Sequence, residues 1–396
     1  MVRSRQFTSS GRAPPFDGNE AIQLVPSTVT GPLPWLNPTR ARYKVIGTND
    51  GDQEEGLAPG TEVRWRSRDN RKGRHIIAVN KRTHPHIEPT THPRAILKGI
   101  LRMFTTCPYW DISYLVAVFF TVGCMIFIAS GLLAWLPLIY SNLDSKLLGD
   151  WSGWTSVAGA TCFQTGATLL MFEAWNEERT GCFGWALRKA MDERERLVVK
   201  PDARKCRHHQ RKKRKQDVVK PGEEKHSWQW FPSWHDLRTH YLHEIGFLAS
   251  FTLFLGATVF YVCGVMAMPP SFDNLSPGVL YGVYYMTYLV GGVLFIVSSA
   301  LYMLETQTKW YLPAPELLGW HVAVWNMIGS VGWTLAAAFG YCAEAKGGGG
   351  GWCEYQSQLS LTWASIGFTI GSALLWYEAV NKYTVERHND DETKGA

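Results

Sequence analysis

Six stretches of the chain, roughly 112–136, 154–175, 245–267, 279–304, 317–341 and 359–380, are strongly apolar and contain no Lys or Arg. Each is long enough to cross about 30 Å of hydrocarbon as a helix. Inside a bilayer the backbone must satisfy its own hydrogen bonds, so a chain of this kind forms either helices or a closed barrel. A barrel strand runs about ten residues with alternating polarity, and nothing alternates through these runs. The expected fold is therefore all-α, a polytopic transmembrane helical bundle of six spans.

The forty Lys and Arg residues orient it. Seventeen precede the first span and seventeen lie between the second and third, whereas only Lys146 and Lys346 fall in the loops on the opposite side. The positive-inside rule then places both termini and the long middle loop in the cytosol. Loops 137–153, 268–278 and 342–358 face the exterior or a lumen, in the plasma membrane or an endomembrane. The opening "MVRSRQFTSSGRAPPF" has no apolar core of a signal peptide, so the first span is expected to direct insertion.

Composition divides the chain further. Residues 1–108 are rich in Pro, Gly and charge, and read as a largely disordered cytosolic N-terminal arm. One stretch resists that reading: 61–80 carries alternating apolar residues on both sides of a polar turn ending at Gly73, the pattern of a short hairpin. Three helical hairpins follow at 109–176, 244–308 and 309–383, with a basic loop at 177–243 and a tail at 384–396. The start of that loop, "EERTGCFGWALRKAMDERERL", has a helix-forming composition that would let the second span run on into the cytosol. Within it, 204–215 holds eight basic residues in twelve and suits anionic lipid head groups, at about 1 kcal/mol per residue near the surface. A solvated topogenic cluster is the alternative, and no nucleic acid is expected for a loop tethered to the bilayer.

The hairpins repeat one another. "FQTGATLLMFEAWN", "FIVSSALYMLETQT" and "FTIGSALLWYEAVN" align on Phe163, Phe295 and Phe368, on a small pair beginning at Gly166, Ser298 and Gly371, and on Glu173, Glu305 and Glu378. The odd-numbered spans carry matching pairs beginning at Gly123, Gly256 and Gly329. In lipid, helices associate through close backbone approach, so small residues in register mark packing seams.

Each glutamate ends a span running toward the cytosol, where the helix dipole opposes an anion. Either the helix continues, or a cation or donor lies alongside; Arg179, Lys309, Lys382, Asn176 and Asn381 are the candidates nearby in sequence. Two roles are consistent with this: an interfacial acid bonded to the neighbouring hairpin, or a ring of three carboxylates guarding a cation or proton path. The first is favoured because an interfacial acid can reach water.

On the outer side, Cys342 and Cys353 flank a glycine-rich loop that bends freely enough for a disulfide, with two free thiols as the alternative. Asn274 in "NLS" is the acceptable glycosylation sequon. His240, His243 and Glu244 share a helical face, but no further ligand accompanies them in sequence, so an interfacial polar face is the better reading and no metal is expected. His321 beside Trp320 reads as an interface histidine. With no nucleotide loop, paired catalytic acids or thiol–histidine constellation, neither enzymatic activity nor a cofactor is expected.

Two adjacent spans, each with Gly and a small residue after an aromatic or Met region, resemble the YrhK-like membrane hairpin, and the whole chain resembles larger fungal-type membrane proteins with several such hairpins. The resemblance covers about 110–383 and implies architecture alone. The expected function is a non-enzymatic membrane protein that binds or organises lipid or protein partners through its basic cytosolic segments. The alternative is a transporter or channel for a small ion or solute.

Overall fold

The computed structural model describes residues 22–45, 62–79, 89–177, 179–184, 228–345 and 351–387; the basic stretch 204–215 lies outside the described residues. The chain is mostly helical, with six long helices among the described residues: α3 (Ile112–Trp135), α4 (Ser145–Trp175), α6 (Ile245–Met266), α7 (Met286–Thr306), α8 (Leu318–Ala345) and α9 (Trp352–Val380). Two shorter helices, α2 (Pro93–Thr105) and α5 (Trp234–Thr239), precede α3 and α6. A π-helical segment, Leu280–Tyr285, leads into α7. Five of the six long helices are long and apolar enough to cross a membrane; the exception is α4, whose apolar face is diluted by Gly, Ser, Thr and Gln164.

The six helices close into a ring in which α3 packs on α4, α4 on α6, α6 on α7, α7 on α8, α8 on α9, and α9 back on α3. Small residues set the spacing. A Cβ at Gly123 would stand 3.2 Å from the Gly159 carbonyl oxygen, and one at Gly291 would stand 3.1 Å from that of Gly256. Gly367 approaches the backbone of Gly329 in the same way, and the Ser298 hydroxyl donates to the Ala249 carbonyl at 2.8 Å. The outward faces carry exposed Met125, Leu255, Val293, Val297 and Val331, the composition a lipid-facing surface needs.

At one end of the ring sits a five-stranded sheet, and here the all-α expectation is corrected. Strands β1 (Ile22–Leu24), β2 (Arg40–Val45), β3 (Glu62–Arg66) and β4 (His75–Val79) run antiparallel in chain order, and β5 (Tyr383–Arg387), arriving from the end of α9, pairs parallel to β4. Inward residues Val29, Ala41, Tyr43 and Val63 form a small core with Leu24 and Trp65. The expectation of a largely disordered arm is therefore also corrected for 22–45 and 62–79. High charge predicts disorder only where the charges stay solvated, whereas several of this arm's charges are buried against the helix ends.

The hairpin expected over 61–80 is present as β3 and β4. Its turn holds a helix, α1 (Ser67–Arg71), and is closed by Gly73 in the left-handed region at φ 62°, a conformation glycine adopts without steric cost. The second long helix does not run on into the loop at 177–184 as expected, and residues 185–197 of that stretch lie outside the described residues. The helix stops at Trp175, because the Asn176 side-chain amide turns back to the Phe172 carbonyl (2.9 Å) and also donates to the Gln229 carbonyl (2.8 Å).

Candidate functional site

The three aligned glutamates lie at the sheet end of the ring, all buried. Their main cationic partners come from α1 and its capping residue Lys72, not from the residues just downstream of each. Positions 68, 71 and 72 are spaced i, i+3, i+4, which puts their side chains on one helical face. Each takes a different glutamate. Arg68 grips Glu378 with two bonds of 2.6 Å. Arg71 holds Glu305 at 2.6 and 2.9 Å. Lys72 stands 3.4 Å from Glu173.

Further donors complete two of the carboxylates and leave the third short. Ser67 donates to Glu305 (2.8 Å), and Arg74 adds a bond to Glu378 (3.1 Å) while also holding Asp69. Glu173 accepts from Ser113 (2.9 Å), but its Oε2 is buried without a hydrogen-bond partner. The cations respond accordingly. Burial alone would lower the Arg71 and Arg68 pKa values, but Glu305 and Glu378 outweigh it and hold both above the ordinary arginine value. For Lys72, burial outweighs Glu173, and with Arg68 and Arg71 adding repulsion its pKa is lowered.

The cations expected from sequence have other duties. Lys382 bonds Asp111 and Thr180, tying the end of α9 to the start of α3. Lys309 lies over the Tyr311 ring. Asn381 donates to the Tyr377 and Gly99 carbonyls. Sequence reasoning overlooked Arg68, Arg71 and Lys72 because nothing local links them to residues more than a hundred positions away; the readable signal was R-x-x-R-K at helical spacing inside the predicted hairpin turn.

Below α1 lies a cavity of about 50 Å³, roofed by the three cations and walled by Leu170, Leu253, Tyr302, Asn326 and Ser372. Its floor includes Phe163 and Phe368. With Phe295 these rings, one from each of α4, α7 and α9, converge at centroid separations of 5.5, 6.0 and 6.2 Å. Trp333, fully buried, packs against all three in tilted contacts at 4.4 to 5.7 Å. The centre of the ring is thus an aromatic layer at van der Waals packing.

At the opposite end, Cys342 and Cys353 are joined as a disulfide, with Cα atoms 5.7 Å apart. Asn274 is exposed in the loop between α6 and α7, and Lys146, in the first turn of α4, donates to Asp273 of that loop at 3.1 Å. The His321 ring bonds the Pro315 carbonyl. Of the polar face at the start of α6, His243 is exposed, whereas His240 and Glu244 come together with Glu177, ligand atoms within 4.8 Å of one another. Burial, and then the charge of Glu177, pushes the Glu244 carboxyl well above the usual range. Compared with protein-family models, curated proteins and solved structures, the chain matches none of them.

Proposed function

We propose that this is a non-enzymatic multi-pass membrane protein whose cytosolic sheet domain is locked onto a closed bundle and presents basic surface to anionic lipid or to partners. In this reading α4 is the sixth span, the helices form three repeated hairpins of YrhK-like type, and both termini are cytosolic. The matching positions of Phe163, Phe295 and Phe368, and of Glu173, Glu305 and Glu378, support the repeat.

The observation that carries the choice between organiser and conduit is the filled axis. Three aromatic rings and Trp333 occupy the centre where a permeation path would need polar groups. The glutamates that could have formed an acidic vestibule are each engaged by a cation or a hydroxyl. Lipid as the partner is supported by α2, which exposes Leu97, Leu101 and Phe104 and carries Arg94, Lys98 and Arg102 at intervals of four. Its inner edge packs Gly99 against Tyr377. An apolar edge bordered by cations is the composition of a helix lying in the head-group layer.

Two measurements on the purified chain test this reading. Proteoliposomes loaded with a pH- or potassium-sensitive dye should show no flux above empty vesicles, either for the natural chain or for Glu173→Gln, Glu305→Gln and Glu378→Gln. Purified chain in nanodiscs of anionic lipid should protect α2 from proteolysis more than in neutral lipid, and Leu97→Glu/Phe104→Glu should abolish the difference. Flux that depends on the glutamates would replace this reading with the conduit.

A further inference from the structure

We infer that Glu177, His240 and Glu244 form a binding site for one divalent transition-metal cation of the zinc class. The three residues come from separate places: Glu177 follows the end of α4, His240 ends α5, and Glu244 is the residue on which α6 begins. The His240 Nε2 stands 3.8 Å from Glu177 Oε1 and 3.9 Å from Glu244 Oε2. A zinc ion bound tetrahedrally at about 2.0–2.2 Å sets its ligand atoms roughly 3.4 Å apart; the two histidine–carboxylate separations are a few tenths of an ångström wider than that, and all three ligand atoms lie within 4.8 Å of one another.

An independent observation points to a ligand. Glu244 is 6% exposed, and its Oε2 has no hydrogen-bond partner; the same holds for His240 Nε2. Polar atoms buried this way carry a desolvation cost that a bond must offset, and both are aimed at one point. The nearby cation cannot supply it, since Arg71 is committed to Glu305 through both its terminal nitrogens. Asn70 of α1 donates to the outer oxygen of Glu177 at 3.1 Å, which orients the carboxylate as an outer-shell partner does in metal sites. One imidazole nitrogen and two carboxylate oxygens suit zinc, cobalt or manganese, and leave a fourth position for water; calcium, which takes six to eight oxygens, is a poor match. A bound ion would tie the end of α4, the start of α6 and, through Asn70, the sheet domain into one unit.

The test uses the full chain in detergent, stripped with a chelator and then titrated with Zn²⁺ against a chromophoric competitor, with Co²⁺ absorption reporting geometry. Expected are one Zn²⁺ per chain and tetrahedral Co²⁺ bands, both lost in His240→Asn and in Glu244→Gln. The second variant keeps the shape of the side chain and removes a charge, so its metal-free melting should be no lower than that of the natural chain. Asn70→Ala should weaken binding roughly ten- to a hundredfold. His243→Asn and the loop double variant His208→Asn/His209→Asn should bind as the natural chain does. Binding that survives both His240→Asn and Glu244→Gln, or that vanishes with the loop histidines, overturns the site. So does an absence of Zn²⁺ binding in the natural chain, which would leave Glu177 and Glu244 as a carboxyl pair sharing a proton.

Discussion

Arg71 and Glu305 meet fork to fork, at 2.6 and 2.9 Å, with the arginine side chain 1% and the glutamate side chain 0% exposed. Two charges so placed have given up nearly all their water, and only each other's presence makes that tolerable. Arg71→Leu strands the glutamate and should cost about 3–5 kcal/mol. The double variant Arg71→Leu/Glu305→Leu removes both charges and should recover most of the loss. Thermal unfolding in nanodiscs, followed by tryptophan fluorescence, reads both; a double variant as unstable as the single one would refute the coupling.

Lys72 is the weak member of the three. An ammonium is a point charge, and at 3.4 Å it leaves Glu173 Oε2 without a partner. Lys72→Arg offers the planar fork that Arg68 and Arg71 already use, and should raise stability by about 1 kcal/mol. A pH signature accompanies it. Because burial lowers the folded pKa of Lys72 below that of the unfolded chain, the unfolded state binds more protons between those two values, so this residue's contribution makes stability rise with pH there. Lys72→Arg should abolish that rise in melting curves taken from pH 8 upward.

Sequence made the helices plain because lipid demands long uncharged runs, and the packing seams plain because Gly123, Gly256 and Gly329 recur in register with their partners. The sheet was nearly invisible: its core has only four buried apolar side chains, Tyr43 the one large member, and Arg68 and Arg71, which look like solvated charges in sequence, are buried. Polarity reads as exposure until the partner is known, and Glu305 and Glu378 lie more than two hundred residues from their arginines. Only the hairpin of β3 and β4, where alternation is local, was legible. The pairing of β4 with β5 joins segments some three hundred residues apart and left no local trace.

Glycines in the ring differ sharply in what a methyl group would meet. At Gly329 a Cβ would stand 2.5 Å from the Phe368 ring, part of the central aromatic layer, whereas at Gly149 nothing lies within 4 Å. Gly329→Ala should therefore force α8 and α9 apart and cost about 1–3 kcal/mol. Gly149→Ala, in the first turns of α4, should be neutral or slightly stabilising through helix propensity. Melting temperatures of the two variants in the same detergent decide it, and equal values would show that the seam yields more readily than close packing allows.

Sidedness can be read from two positions at opposite ends of the ring. Lys146, in the first turn of α4, pairs with Asp273 of the loop between α6 and α7, with 71% of its side chain exposed, and Tyr383 begins β5 at the sheet end, 67% exposed. The parallel pairing of β4 with β5 fixes the N-terminal arm and the C-terminal strand to one end, and the proposed topology, resting on the seventeen basic residues before α3, puts that end in the cytosol. In a chain carrying Cys107→Ser, Cys162→Ser and Cys206→Ser, an impermeant maleimide applied to intact cells should label Lys146→Cys and spare Tyr383→Cys. If Lys146 is on the luminal side of an internal membrane, both are spared until that membrane is opened, and selective permeabilisation of the plasma membrane then labels Tyr383→Cys alone. Labelling of both positions from one compartment is incompatible with helices of this length crossing a bilayer between them, and would mean the ring does not span the membrane at all.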